Sequence, residues 1–146
     1  MTAPQRLILI TGATGAIGGA LARHYARPGH HLVLHGRRQD TLAEIGQRCR
    51  DQGAEVSLAS GPLEDNDARQ AWLAGLSRTP DIVIMCAGIN TGVADRRDGE
   101  SLQAGRQLME INLRVPMEMA RQLAPAMQRR GRGQLVFISS LAAWHG

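Results

Sequence analysis

A glycine-rich turn near the amino terminus carries the strongest chemical signal in this sequence. The segment TGATGAIG, residues 11–18, follows the short apolar run LILIT and precedes apolar residues at helical spacing. Gly12 permits a tight turn from strand to helix, Gly15 lets the main chain approach a bound group, and Gly18 allows close helix packing. Amides at the start of a helix, at the positive end of its dipole, suit a diphosphate. The spacing therefore predicts a dinucleotide site, although the same glycines could serve only to form the turn.

Two arginines stand where the next strand of such a site ends. The segment HLVLHGRR closes with Arg37 and Arg38 and contains no carboxylate. A carboxylate at this point would bond the ribose 2′-hydroxyl of NAD, whereas a guanidinium can pair with the 2′-phosphate of NADP. The pair predicts NADP as the preferred cofactor, with NAD possible. The alternative interpretation is that both are solvated surface arginines.

The elements that must position these residues alternate along the chain. Short apolar runs predict strands, and stretches with apolar residues at helical spacing predict helices. Strands are predicted at 7–11, 31–36, 55–59, 81–88 and 134–140, and helices at 16–27, 40–50, 68–76 and 101–130. Because proline cannot donate a backbone hydrogen bond, Pro116 is expected near a bend or a helix start.

This alternation predicts an α/β fold, namely a Rossmann-type doubly wound parallel sheet with the strand order 3-2-1-4-5. Ligands bind such sheets beyond the carboxyl ends of the strands, at the point where the strand order reverses. Three segments are expected to meet there: the glycine turn, CAG at 86–88 and ISS at 138–140.

The composition is that of one folded domain and points away from nucleic acid. The chain has 146 residues, of which 43% are hydrophobic, enough for a single core. All 17 cationic residues are arginines, and against 13 acidic residues they give a net charge of +4. They are scattered from Arg6 to Arg132, and aromatic residues make up only 3%. We therefore expect one domain over residues 1–146 and no nucleic-acid partner.

Several other classes are disfavoured by the cysteines, the histidines and the apolar runs. Cys49 and Cys86 lack the paired spacing of a zinc site, and two cysteines do not make a disulfide framework. The five histidines show no metal-ligand spacing. The apolar run before Gly12 is too short for a secretion signal or a membrane span. We expect no metal, no membrane association and a cytoplasmic location.

Over essentially all 146 residues the chain resembles the short-chain dehydrogenase/reductase family. Four motifs follow one another in the family's order. TGATGAIG resembles its glycine motif, MCAG at 85–88 its NNAG motif, INL with Asn112 its helix asparagine, and GQLVFISSLAA at 133–143 its catalytic serine segment. The family's serine matches Ser140. The resemblance implies that further residues hold the cofactor together with the three glycines and two arginines, namely Thr14, Ala16, Ile17, Leu63, Ala87 and Gly88.

The resemblance also implies a chemistry, a hydride passed between NADP(H) and a carbonyl or alcohol substrate. Asn112 would hold a water in a proton relay, and Ser140 would hydrogen-bond the substrate oxygen. The family's acid/base Tyr-x-x-x-Lys lies about a dozen residues beyond that serine, and the sequence given has Tyr25 as its single tyrosine and no lysine. We expect residues 1–146 to be the front part of an enzyme, inactive alone, without the Tyr-Lys helix, the last two strands and the substrate lid. The alternative is a non-catalytic dinucleotide-binding or regulatory module.

Three positions depart from the family's pattern. Ala16 stands where most classical members have glycine, which leaves the subfamily open. Pro62 replaces the aspartate that usually contacts adenine, so only backbone contacts near Leu63 carry over. Cys86 replaces the second asparagine of NNAG.

The methionines of the predicted 101–130 helix suit a core or an interface, and because the family commonly pairs this helix between subunits, a homo-oligomer is expected.

Overall fold

Strands and helices alternate in the computed structural model, which describes residues 5–90 and 101–140. The strands are β1 (Arg6–Thr11), β2 (His30–His35), β3 (Glu55–Ala59), β4 (Ile82–Met85) and β5 (Gln134–Phe137). The helices are α1 (Ala16–Tyr25), α2 (Gln39–Asp51), α3 (Asn66–Ala74), α4 (Leu102–Met109) and α5 (Val115–Arg130), and a π-helical turn (Glu110–Arg114) joins the last two. The predicted alternation is confirmed.

All strand pairs in the sheet are parallel, and the order is β3-β2-β1-β4-β5, as predicted. In the centre, Ile8 is paired with Leu32 on one side and Ile82 on the other. Residues 7–11 of β1 are almost completely buried, which explains the unbroken apolar run: both faces of the strand are covered.

Two apolar clusters cover the two faces of the sheet. On one face, Ile8 and Ile10 of β1 pack with the α1 and α2 side chains Ala22 and Ile45. On the other, alternate β1 residues pack with apolar side chains of α3 and α5, among them Leu73, Met119 and Leu123. The result is a three-layer arrangement in which burial fixes the register of β1.

Several predicted boundaries were too long. The fourth strand ends at Met85 rather than at 88, and the fifth ends at Phe137 rather than at 140. The first helix ends at Tyr25 rather than at 27, because the residue before Pro28 is biased away from helical angles. Directly after β4, the amides of Cys86 and Ala87 donate to the Thr11 side chain and not to a neighbouring strand.

The helical stretch predicted over 101–130 runs from Leu102 to Arg130, but it is divided into two α-helices, which the sequence did not indicate. The π-helical turn interrupts it, and Pro116 lies in the first turn of α5, where the prediction of a helix start is confirmed. In an unbroken α-helix the residue 116 amide would donate to the carbonyl of residue 112. Pro116 has no amide hydrogen, and its ring clashes with that carbonyl, so the helix widens at this point.

Nothing in the described ranges meets the requirements of a membrane-crossing helix, which must be both long and apolar.

Candidate cofactor site

Gly12 forms the first corner of the glycine turn, and no other residue fits there. Its φ is +67°, in the left-handed region. A Cβ atom on Gly12 would also lie 2.7 Å from both the Cα and the amide nitrogen of Ala87. The turn is held by hydrogen bonds of 2.9 Å from the Ala13 amide to the His35 carbonyl and 3.0 Å from the Gly15 amide to the Gly12 carbonyl. This glycine therefore lets the ends of β1 and β4 touch.

The other two glycines of the motif have opposite surroundings. A Cβ on Gly18 would lie 2.2 Å from the Gly12 carbonyl oxygen, so Gly18 lets α1 pack on the turn itself. A Cβ on Gly15 would meet nothing closer than 3.4 Å, and Gly15 has ordinary angles at the exposed N-cap of α1. Since no other atom of the described residues lies within 4 Å of that Cβ position, the main chain beside Gly15 is accessible to a ligand in this part of the structure.

Thr11 ties the glycine turn to the end of β4, a role that the sequence reasoning missed. Its buried hydroxyl accepts hydrogen bonds from the amides of Cys86 and Ala87, each at 3.2 Å. These bonds replace the strand ladder where β4 ends. A hydroxyl residue placed directly before the turn, at the end of a buried strand, was the available signal.

A cavity of about 250 Å³ opens at the carboxyl ends of the strands, beside the glycine turn. It lies at the switch point between β1 and β4, as expected for this sheet order. Eight of the predicted cofactor residues line it: Gly12, Thr14, Gly15, Arg37, Arg38, Leu63, Ala87 and Gly88. The remaining three are placed differently, because Ala16 and Ile17 are exposed at the start of α1 and Gly18 is buried beneath the turn. The wall also contains residues that were not predicted as cofactor contacts: His35, Gly36, Gly61, Glu64, Cys86, Ile89 and Ile111.

The end of β2 contributes positive charge and little bulk to the cavity. A Cβ on Gly36 would lie 2.6 Å from the Thr14 methyl group, so a side chain at residue 36 would require the Thr14 side chain to move. The exposed Arg38 donates a hydrogen bond to the Thr14 carbonyl. Among the described residues, no hydrogen bond or ion pair engages the exposed guanidinium of Arg37. The two arginines therefore place positive charge where β2 meets the glycine turn.

His35 is the buried titratable group of the cavity wall. It is 5% exposed, and its ring centroid lies 5.1 Å from that of Trp72. Burial lowers the pKa of His35, while a hydrogen bond to the Gly61 backbone and the nearby Glu64 carboxylate oppose that shift. Its Nδ1 atom has no hydrogen-bond partner within the described part of the chain. His35 is therefore neutral near pH 7, and the positive charge of this wall comes from the arginines.

Asn112 lies in the π-helical turn and clasps the segment after β4. Its Oδ1 accepts a hydrogen bond from the Ile89 amide, and its Nδ2 donates one to the Ile89 carbonyl, both at 2.8 Å. A Cβ on the neighbouring Gly88 would come within 3.3 Å of Asn112 Oδ1. Both polar ends of the side chain are thus engaged by the main chain. Its main-chain carbonyl would accept from residue 116 in a regular α-helix, and Pro116 has no amide hydrogen to donate.

Ser140 follows β5 at the same edge of the sheet. The Ile138 amide donates to the Met85 carbonyl at 3.2 Å, so the chain past Phe137 still runs beside the end of β4. Ser140 is exposed and is not part of the cavity wall of the described residues. The structure places it at the cavity's end of the sheet without bringing its side chain into the wall.

The thiols and acidic groups of the described ranges form no metal cluster. Nowhere in these ranges do three histidine, cysteine, aspartate or glutamate side chains come together to hold an ion. Cys86 is a free thiol in the cavity wall, and burial raises its pKa although the Gly18 backbone opposes the shift. The thiol is therefore protonated near neutral pH and acts as a small apolar group.

The parallel sheet, the glycine turn and the cavity at the switch point define a Rossmann-type dinucleotide-binding protein. The family pattern described as short chain dehydrogenase matches residues 6–146. The chain therefore belongs to the short-chain dehydrogenase/reductase family of oxidoreductases. Human "Dehydrogenase/reductase SDR family member 2, mitochondrial" is 30% identical over 144 residues, a match that covers 97% of this chain and 51% of that protein. The chain spans about half the length of the curated relatives it matches.

Solved structures show the same fold with nicotinamide cofactors. A short-chain dehydrogenase from Sphingobium yanoikuyae in complex with NADPH has a TM-score of 0.84 and 28% identity, over 95% of this chain and 55% of that one. A 3-oxoacyl-(acyl-carrier protein) reductase from Brucella melitensis with bound NAD has a TM-score of 0.84 and 25% identity, over 98% and 56%. These likenesses indicate a nicotinamide dinucleotide without choosing between NAD and NADP.

Proposed function

We propose that the cavity binds NADP(H) and that the chain forms the cofactor half of an oxidoreductase acting on a carbonyl or alcohol. The observation that carries this proposal is the contrast among the three glycines. Gly12 and Gly18 are closed off by the protein itself, whereas Gly15 leaves main chain open at the positive end of α1. A diphosphate fits that opening, because it needs amide donors and close backbone approach.

NADP rather than NAD is favoured by the charges at the end of β2. Gly36 supplies no carboxylate that could bond a ribose 2′-hydroxyl, and Arg37 and Arg38 supply guanidinium groups instead. Arg38 is already bonded to the Thr14 carbonyl. We therefore assign the 2′-phosphate chiefly to Arg37. The bound cofactor would supply a hydride at its nicotinamide ring, and the protein would bind and orient it.

A titration with NADPH and NADH tests the assignment, on protein expressed from its complete reading frame. We expect NADPH to bind at least tenfold more tightly than NADH, since a charge-assisted pair contributes about 1.5–3 kcal/mol. Arg37→Met should remove most of that preference and leave NADH affinity unchanged. Arg48→Met, at an exposed position of α2, is the matched control and should change neither. Tighter binding of NADH by the unaltered protein would overturn the NADP assignment.

For the chemical step we assign Ser140 to the substrate oxygen and Asn112 to a water held at its carbonyl. Their support is positional: both lie at the cavity's end of the sheet, and Pro116 leaves the Asn112 carbonyl without its usual donor. We assign the acid/base pair to residues outside 1–146, in keeping with relatives about twice as long. Ser140→Ala should lower kcat with little change in NADPH affinity, and unchanged turnover would remove Ser140 from the mechanism.

We also propose that the protein is a homo-oligomer in the cytoplasm, with α4, the π-helical turn and the first turn of α5 at the interface. Four large apolar side chains stand exposed along one side of this region: Leu102, Met109, Leu113 and Met117. Exposed apolar residues grouped in this way are typical of an interface. Light scattering should give a particle mass that is a multiple of the chain mass, and a monomer at micromolar concentration would contradict the proposal.

A further inference from the structure

Arg69 of α3 is a buried arginine whose bonds reach the cofactor cavity. Its side chain is 1% exposed. The guanidinium donates to the carbonyl of Leu63, to the side-chain oxygen of Asn66 at 2.9 Å and to the carboxylate of Glu118 on α5. Leu63 is itself buried and lines the cavity. One charged group therefore joins α3, α5 and the cavity wall.

A second arginine approaches the same wall segment from the π-helical turn. Arg114 donates to Glu118 at 2.7 Å, from the side opposite to Arg69, and is also paired with Glu110. Another of its nitrogens lies 3.4 Å from the carbonyl of Glu64. Arg69, Glu118 and Arg114 are called the arginine clamp below. Through the clamp, two neighbouring carbonyls of the cavity wall are bonded to α3 and to the π-helical turn, and both arginines are joined to α5 through Glu118.

The wall segment lacks the support that strands give to the rest of the site. β3 ends at Ala59, whose carbonyl accepts the Gly36 amide, and the following Gly61 has a φ of +134°. A Cβ on Gly61 would meet no atom of the described residues within 4 Å, and the hydrogen bond between His35 and the Gly61 backbone is the contact that holds the chain at that point. Because α3 begins only at Asn66, the arginines are the polar anchors of the intervening Leu63 and Glu64.

We infer that the arginine clamp sets the position of the Leu63–Glu64 segment against the adenine end of the cofactor, which makes Arg69 a positioning residue. The inference rests on the proposed function of the cavity. A buried ion pair adds little stability compared with apolar groups of the same size, whereas its directional bonds fix geometry. The same clamp connects this segment with the turn that carries Asn112. Losing the clamp should therefore affect the adenine end of the ligand first.

Two halves of the cofactor provide the test, on protein expressed from its complete reading frame. Adenosine 2′,5′-bisphosphate reports the adenine end, and reduced nicotinamide mononucleotide reports the other end. Arg69→Met alone removes the buried partner of the Glu118 carboxylate and destabilises the fold, which would confound a measurement of binding. The double variant Arg69→Met/Glu118→Gln removes both charges and keeps the volume, so it should retain a cooperative unfolding transition.

In the double variant we expect about a tenfold loss of affinity for the bisphosphate and less than a twofold change for the mononucleotide. Arg129→Met, an exposed position on the same helix as Glu118, should leave both affinities unchanged. Unchanged bisphosphate affinity in the folded double variant would overturn the inference, as would an equal loss of both fragments. Failure of the unaltered protein to bind the bisphosphate would instead refute the proposed cofactor site.

Discussion

We expect Gly15→Ala to weaken cofactor binding and to leave the free energy of unfolding nearly unchanged. Its added Cβ would meet the Gly12 carbonyl oxygen at 3.4 Å, an ordinary contact, and its φ of −84° suits any residue. Alanine is a poorer N-cap than glycine, but it also restricts the unfolded chain by about 0.4–1 kcal/mol. These effects offset each other, so the free energy of unfolding should change by less than about 0.5 kcal/mol. In Gly18→Ala, by contrast, a 2.2 Å contact with that oxygen would force α1 to move, at a cost of about 1–3 kcal/mol or more.

The affinity for NADPH, unlike the folding stability, should change strongly in Gly15→Ala and for a reason that the structure specifies. A methyl group on Gly15 occupies the space next to the open main chain of α1, and a diphosphate held away from one amide loses a charge-assisted hydrogen bond of about 1.5–3 kcal/mol. NADPH affinity should therefore fall by about 10- to 150-fold. Urea unfolding gives the stability, and nicotinamide fluorescence on titration gives the affinity. If Gly15→Ala binds NADPH as tightly as the unaltered protein, the glycine turn does not hold the diphosphate.

Two further substitutions test the contacts around the turn. Thr11→Val leaves the Cys86 and Ala87 amides without their acceptor and should lower the free energy of unfolding by about 1–3 kcal/mol in urea, whereas Thr11→Ser, which keeps the hydroxyl, should lose less, about 1 kcal/mol at most. A loss in Thr11→Val no larger than that in Thr11→Ser would show that the two bonds contribute no more than the methyl group. His35 has a lowered pKa when folded, so its stability contribution is complete above the unfolded value of about 6.5 and is lost as pH falls through the folded value, by at most about 1.4 kcal/mol per pH unit. Compared at pH 7.5 and 5.5, His35→Gln should lose less stability on acidification than the unaltered protein, and an equal loss would contradict the assigned burial effect.

The order of the sheet and most of the cavity wall could be predicted from the sequence. Alternating apolar runs and amphipathic stretches define the strand order, because right-handed crossovers leave few topologies. Once that order is fixed, the residues after β1, β2 and β4 must meet at one edge. Gly12, Arg37 and Ala87 were placed in the cavity on this ground, and all three line it.

Contacts between elements distant in sequence could not be predicted. The strand pattern at 81–88 gives no sign that the Cys86 amide leaves the ladder for the Thr11 hydroxyl, 75 positions away. Likewise, Arg69 looks like a solvated residue of a polar helix until the fold brings Glu118 beside it. The π-helical turn before Pro116 was missed for another reason. Helices are predicted from the spacing of apolar residues, and a local change in backbone hydrogen bonding alters that spacing very little.

The proline four positions after Asn112 has one further implication. Most polar groups in a binding site lack an internal hydrogen-bond partner only because the surrounding packing keeps such partners away. A substitution that disturbs this packing allows an internal hydrogen bond to form. At the Asn112 carbonyl the usual competitor is missing by covalent structure, since a pyrrolidine nitrogen in a peptide bond carries no proton. Changes in neighbouring side chains therefore leave that donor missing, whereas replacing Pro116 would restore it.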